Sequence, residues 1–322
     1  MIDQGTRPPQ DLDPVISIIS PAYNEQDNLL DLYDEIRDAI ADDVTWELIL
    51  VDDGSTDNTA GVLRDLCQRD DRVSAIRLSR HYGHQIALTA GYDLARGQAV
   101  ISMDSDLEHP PSVVPALLAQ WRAGNDIVLA RRRREPGSLP RRLLYRLFLV
   151  FMRRVADVDL VPNTADFTLM DRKVVDYFNQ YRESSRFIRG IISDLGYRRA
   201  IVDYDEPQRR AGRSYWNWWR LMKFGLSGVM SFSAFPLRIS FVTGLAVSLL
   251  SITYAVWIVI AKLLYGAPAG IPSILVGVFF LGGVQLISIG VLGEYVANVF
   301  TEVKRRPLYC IAEVVGRDQA HR

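Results

Sequence analysis

Two cysteines in 322 residues, Cys67 and Cys310, stand too far apart for a CxxC pair or a zinc spacing. A disulfide framework and a thiolate metal centre are therefore excluded, and cysteine this sparse fits a reducing compartment. No GxGxxG follows the first apolar run, and no GxxxxGK[ST] occurs, so the dinucleotide fingerprint and the P-loop are both missing. The formal net charge is only -1, and no nucleic-acid partner is expected of it. Residues 1–14 are polar and proline-rich without an apolar core. They are not a signal peptide, and a disordered tail is expected there.

What is present is an alternation. Val15 to Ser20, Glu47 to Val51, Val73 to Leu78, Ala99 to Met103 and Asp126 to Ala130 read as strands. Helical patterns lie between them at Asn28 to Ile40, Thr59 to Cys67, His84 to Ala95 and around Val113 to Trp121. Strands alternating with helices predict right-handed βαβ units and a mostly parallel sheet, hence an α/β head over 15–231.

The fourth strand runs into Asp104-Ser105-Asp106-Leu107-Glu108. In extended backbone Asp104, Asp106 and Glu108 share one face. Carboxylates that close repel unless a cation neutralises them, which points to a divalent metal with oxygen ligands. The other reading is an acidic loop capping the helix that starts near Pro110-Pro111-Ser112. The first strand ends in Pro21-Ala22-Tyr23-Asn24-Glu25 and the second in Val51-Asp52-Asp53-Gly54-Ser55. In a parallel sheet these ends face the same crevice as the acidic run. Tyr23 offers an aromatic face for a base, and Glu25 and Asp53 offer acceptors for base or ribose donors. Adjacent residues point opposite ways, so one of Asp52 and Asp53 faces the ligand.

The C-terminal third differs in kind. Ile239 to Ala261 carries no charge, nor does Leu263 to Gly293, and a Gly/Pro-rich turn at 266–272 interrupts the second run. A bilayer needs about 20 apolar residues per helix. A two-helix transmembrane hairpin is therefore predicted within 232–303, with helices at about 238–262 and 272–297. Arg238 precedes the pair and Lys304-Arg305-Arg306 follow it, so both ends are expected in the cytoplasm, with a cytoplasmic tail over 304–322. Arginines among bulky apolar residues near 141–156, and the Trp-rich stretch 215–230, read as interfacial amphipathic helices or as ordinary packing against the head. Pro307 to Val315 is a candidate strand for pairing with a neighbouring chain.

In this order and spacing, the three strand ends resemble family 2 glycosyltransferases with the GT-A nucleotide-sugar fold. The resemblance continues through Ser79 to Gly91, Asp166 to Arg172, Arg186 to Gly190, Arg209 to Ser214 and Pro236-Leu237-Arg238. The chain looks like the polyprenyl-phosphate branch, near the bactoprenol glucosyltransferases, with dolichyl-phosphate mannose synthases as cousins. That resemblance implies Pro21, Tyr23, Glu25, Val51, Asp53 and Ser105 at the nucleotide, and Mg²⁺ or Mn²⁺ on the diphosphate, held by Asp104 and Asp106. Glu108 stands where relatives often carry Gln or Ser and is a third candidate ligand. Arg131 and Arg209 match phosphate-contacting arginines. The lysine closing the family pattern R-x-x-G-x-S-K is Tyr215 here, which leaves Arg213 to supply the charge. Asp166 matches a position given a catalytic role and, with Asp106, completes the expected catalytic pair.

The implied reaction is inverting transfer of a sugar to polyprenyl (undecaprenyl) phosphate at the inner (cytoplasmic) membrane. UDP-glucose is the first choice of donor, ahead of UDP-galactose, UDP-N-acetylhexosamines and GDP-mannose. Relatives imply a homotetramer. Processive polysaccharide synthases share such a head but carry QxxRW, which is missing here. A non-catalytic assembly module would not need the complete acidic box.

Overall fold

The computed structural model describes residues 15–41, 44–133, 161–205, 235–265 and 271–316. These fall into two compact units, a head and a pair of long helices. The expected tail 1–14, the interfacial helices near 141–156 and 215–230, and Arg209, Arg213 and Tyr215 lie outside the described residues.

The head is built on an eight-stranded sheet in the order β7-β5-β6-β4-β1-β2-β3-β8. At its centre lies β1 (Ile16–Ala22), every residue of which is buried. It is flanked by β2 (Trp46–Asp52) and β4 (Ala99–Ser102), both parallel to it and both buried throughout. Near-continuous apolar runs of this kind belong to parallel strands covered on both faces. The covering helices show why they form. In α1 (Leu29–Ala39), Leu29, Leu32 and Ile36 are buried, a stripe at helical spacing with charged residues opposite. On the far side of β2 lies β3 (Val73–Leu78), with α2 (Thr59–Arg69) between them in sequence and α3 (His84–Leu94) following.

Register then fixes the site. Ala22 pairs with Asp52, and Ile19 with Ser102, so β1, β2 and β4 end at one rim of the sheet. Three loops meet there, as the sequence predicts for parallel strands.

The other half departs from the parallel reading. After α4 (Val114–Arg122) comes β5 (Ile127–Arg132). Then β6 (Thr164–Asp171) inserts antiparallel to both β4 and β5. Its residue Thr168 pairs with Ser102, so its N-terminal end, carrying Asp166, comes beside the C-terminal end of β4. Two short helices follow, α5 (Arg172–Phe178) and α6 (Ile188–Asp194), and then β7 (Arg199–Tyr204), parallel to β5.

The strand expected near 307–315 forms as β8 (Ile311–Val315), which pairs antiparallel with β3 of its own chain. Glu313 sits opposite Arg77 and takes two hydrogen bonds from Arg64, at 3.0 and 2.8 Å. Just before it, Tyr309 donates to Asp93 at 2.8 Å, and Ser79 N donates to the Cys310 carbonyl at 2.9 Å. Both cysteines are free, Cys67 buried and Cys310 exposed.

The second unit holds α7 (Phe235–Tyr265) and α8 (Ile271–Val303), which touch one another. Within α8, Phe280–Val303 is long and apolar enough to cross a membrane, with mean hydropathy 1.5 and none of it buried. In α7 a shorter apolar stretch covers Ser240–Tyr254. Large apolar side chains such as Leu286 and Trp257 stand exposed on both helices.

Candidate active site

At the rim where β1, β2 and β4 end lies a cavity of about 290 Å³. Pro21, Tyr23 and Glu25 reach it from β1, Asp53 from β2, and Asp104, Ser105 and Asp106 from β4. Seven of the residues expected at the site thus line one cavity. His81 and His84, which the sequence reading assigned no role, line it too. Val51 is buried within β2 and does not line it.

The loops are laced together by their own side chains. Asn24, at φ 57, accepts a hydrogen bond from Thr56 N at 2.9 Å, and Glu25 N donates to Thr59 Oγ1 at 3.0 Å. Ser105 Oγ donates to the Pro21 carbonyl at 2.9 Å, which ties the β4 loop to β1. Asp53 is almost fully buried. Its oxygens accept from Tyr82 N at 2.7 Å and Gly83 N at 2.8 Å, and His81 Nδ1 lies 2.8 Å away. Asp52, its neighbour, points away from the cavity and takes Ser55 N at 2.8 Å. Glycine is required at two points of this cradle. A Cβ on Gly54 would come within 2.5 Å of the Arg80 carbonyl carbon, and Gly83 has φ +101. His81 in turn packs on Tyr23, ring centroids 4.2 Å apart, making an aromatic platform at the cavity wall.

The acidic strand end divides. Asp104 and Asp106 face the cavity. Glu108 does not line it: its N donates to Asp106 Oδ1 at 3.1 Å, and its carboxylate lies 3.3 Å from Arg132 Nη2. Asp104 N donates to His109 Nδ1 at 2.9 Å. Burial lowers the pKa of that histidine, so the neutral ring serves as the acceptor. Arg131 makes a two-pronged contact with Asp203, at 2.6 and 3.0 Å, and does not line the cavity.

A second cluster stands beside the first. His84 Nε2 lies 3.4 Å from Asp104 Oδ1 and 3.2 Å from Asp166 Oδ2. Burial works against the charge on His84, but the two carboxylates outweigh it and its pKa is pushed up to about 9. Asp166 also accepts from Gln85 Nε2 at 2.8 Å, and Arg189 Nε lies 3.5 Å from its Oδ1. Burial raises the pKa of Asp166, yet the His84 hydrogen bond, Arg189 and Gln85 together hold it well below the usual carboxylate range. At neutral pH it is a fixed anion and a very weak base. Two of the chain's four histidines fall between the end of β3 and the first turn of α3, beside the same rim, and that is the available signal for this cluster.

Among the described residues, no three His, Cys, Asp or Glu side chains converge as a preformed metal cage. The donors nevertheless suit Mg²⁺, which commonly takes one or two carboxylates and completes its shell from substrate phosphates and water. Asp104 Oδ1 is a buried carboxylate oxygen that accepts no hydrogen bond, with His84 Nε2 facing it at 3.4 Å, and Asp106 shares its cavity.

Residues 17–178 match Glycosyl transferase family 2. The chain is 41% identical over 304 residues to an uncharacterized glycosyltransferase of Synechocystis sp., covering 94% of this chain and 96% of that one. It is 39% identical over 300 residues to the SfII prophage-derived bactoprenol glucosyl transferase of Shigella flexneri, covering 92% and 97%. Among solved structures, glucosyl-3-phosphoglycerate synthase from Mycobacterium tuberculosis is similar with a TM-score of 0.46 and 22% identity, over 66% of this chain and 75% of that one. The α/β head with its mostly parallel sheet is that of a glycosyltransferase. The chain belongs to glycosyl transferase family 2.

Proposed function

We propose that this protein transfers a hexose, glucose from UDP-glucose, to polyprenyl phosphate at the cytoplasmic face of a membrane, with inversion and with Mg²⁺ or Mn²⁺. The observation that carries the reading is the state of Asp166. A carboxylate locked by His84, Gln85 and Arg189 and held ionised is ill suited to remove a proton. An acceptor hydroxyl needs a base, whereas a phosphate monoester is already mostly ionised at neutral pH and is itself the nucleophile. The similarity to a bactoprenol glucosyl transferase along nearly the whole of both chains supports the same acceptor.

In this scheme a phosphate oxygen of the acceptor attacks the anomeric carbon as the bond to the nucleoside diphosphate breaks. No proton changes hands. The aromatic face of Tyr23 and the polar rim of Glu25 receive the nucleoside. Asp104 and Asp106 would hold the metal, which when bound would supply positive charge against the leaving diphosphate. Asp166 orients the sugar, and His84, bridging Asp104 and Asp166, keeps the two carboxylates at a fixed spacing. The remaining work is positioning two anions against their repulsion.

The same reading makes α7 and α8 a two-crossing hairpin with both ends in the cytoplasm. The return of β8 supports this. A strand that follows α8 in sequence and pairs with β3 is what a chain returning to the side it left would give. A head so anchored meets a lipid acceptor concentrated in two dimensions.

The test is incubation of membranes containing the protein with labelled nucleotide sugars, polyprenyl phosphate and Mg²⁺ or Mn²⁺. Label from UDP-glucose is expected in the lipid fraction. No lipid label from any common donor would sink the proposal.

A further inference from the structure

We propose that Gln85 is a positioning residue of the transfer reaction, holding Asp166 in one orientation by tying it to the first turn of α6. The inference rests on the reading that Asp166 faces the reacting groups.

Gln85 Nε2 donates to Asp166 Oδ2 at 2.8 Å, and Gln85 Oε1 accepts from Ile188 N at 2.9 Å. Neither partner can exchange roles, because an ionised carboxylate only accepts and a backbone N–H only donates. The amide therefore has a single orientation. Glutamate keeps the acceptor and sets a second carboxylate against Asp166. Leucine keeps the bulk and loses both bonds. Asparagine falls a methylene short.

Arg189, the residue after Ile188, stands 3.5 Å from the other oxygen of Asp166, and its Nη1 donates to the Thr164 carbonyl at 3.1 Å. Gln85 lies in the first turn of α3, Asp166 lies on β6, and Ile188 opens α6. The clamp thus joins three elements far apart in sequence around a side chain only 10% exposed. A carboxylate that orients a reacting group must be placed to a fraction of an ångström, and misplacement by about 1 Å costs rate on the order of 100-fold.

The experiment compares the full-length wild type with Gln85→Leu and Gln85→Glu, each also in an Asp166→Ala background. Single-turnover rates, donor KM, nucleoside diphosphate binding by calorimetry and Tm are measured. Gln85→Leu is expected to lower the rate about 10- to 100-fold, the worth of a hydrogen bond to a charged group, with donor KM within about twofold. Gln85→Glu is expected to be worse than Gln85→Leu. In the Asp166→Ala background Gln85→Leu adds less than about twofold, because its route of action is gone.

Equal losses in both backgrounds, or a rise in KM and fall in Tm at unchanged rate, overturn the inference. Should Gln85→Leu fail to fold, Gln85→Glu, which keeps the contact to Ile188 N, decides on the same criteria. A wild type that labels no lipid overturns the proposed function instead, so the two failures are distinguishable.

Discussion

Asp53 offers the sharpest test of how the cavity is built. The sequence casts it as an acceptor for the nucleoside, but its oxygens are already engaged by Tyr82 N, Gly83 N and His81. Its first task is then to hold the 79–83 loop against the end of β2. In Asp53→Asn the side chain keeps one carbonyl oxygen and presents an amide NH₂ to the other backbone donor. One charge-assisted hydrogen bond is lost in a nearly dry setting, at a cost of about 1.5–3 kcal/mol. If Tyr82 and Gly83 exchange by local opening, their amide protection falls by about 10- to 150-fold while that of β1 and β2 is unchanged. Hydrogen exchange measured on the nucleotide-free protein reads this directly. Affinity for UDP is expected to fall as well, because His81 loses its anchor beside Tyr23. Unchanged protection at both amides, with UDP binding lost, would refute the reasoning and return Asp53 to direct base recognition.

Further outcomes follow from the same geometry. Asp104→Ala is expected to reduce transfer by about 100-fold or more with expression and Tm maintained, and unimpaired turnover would exclude its place at the diphosphate. Burial pushes the Cys67 thiol up to about 11, so alkylation of native protein at pH 8 is expected to give one adduct, on Cys310; mass spectrometry showing two would contradict the burial of Cys67. Arg72 holds the Asp70 carboxyl down at about 2. Its stabilising share is therefore present above the ordinary carboxylate range and is lost as pH falls toward 2. Asp70→Asn is expected to flatten the acid limb of a stability–pH curve, and an identical limb in the variant would rule that contribution out.

Much of this was legible before any coordinates. The apolar runs of β1, β2, β3 and β4 announce themselves because strands buried on both faces leave little room for polar residues. Their shared rim follows from parallel pairing, and Tyr23, Asp53 and Asp104 follow from the rim. The antiparallel β6 was not legible. Its sequence mixes polar and apolar residues, and nothing local in it says that it slips between β4 and β5. The Asp166 cluster was hidden for the same reason, since Gln85, Asp166 and Ile188 meet only through that insertion. Glu108 and Arg131 show the opposite limit. Motif position names a residue type but not the partner that claims it, here Arg132 and Asp203.

The return of β8 has a consequence in time. It leaves the ribosome after both long helices, so the outer edge of β3 waits unpaired while residues 79–310 are made. At typical elongation rates that interval is on the order of 10 to 50 s. For that period a bare strand edge is open to pairing with any other nascent chain. The sheet closes last, and the head is finished only once both long helices have been made.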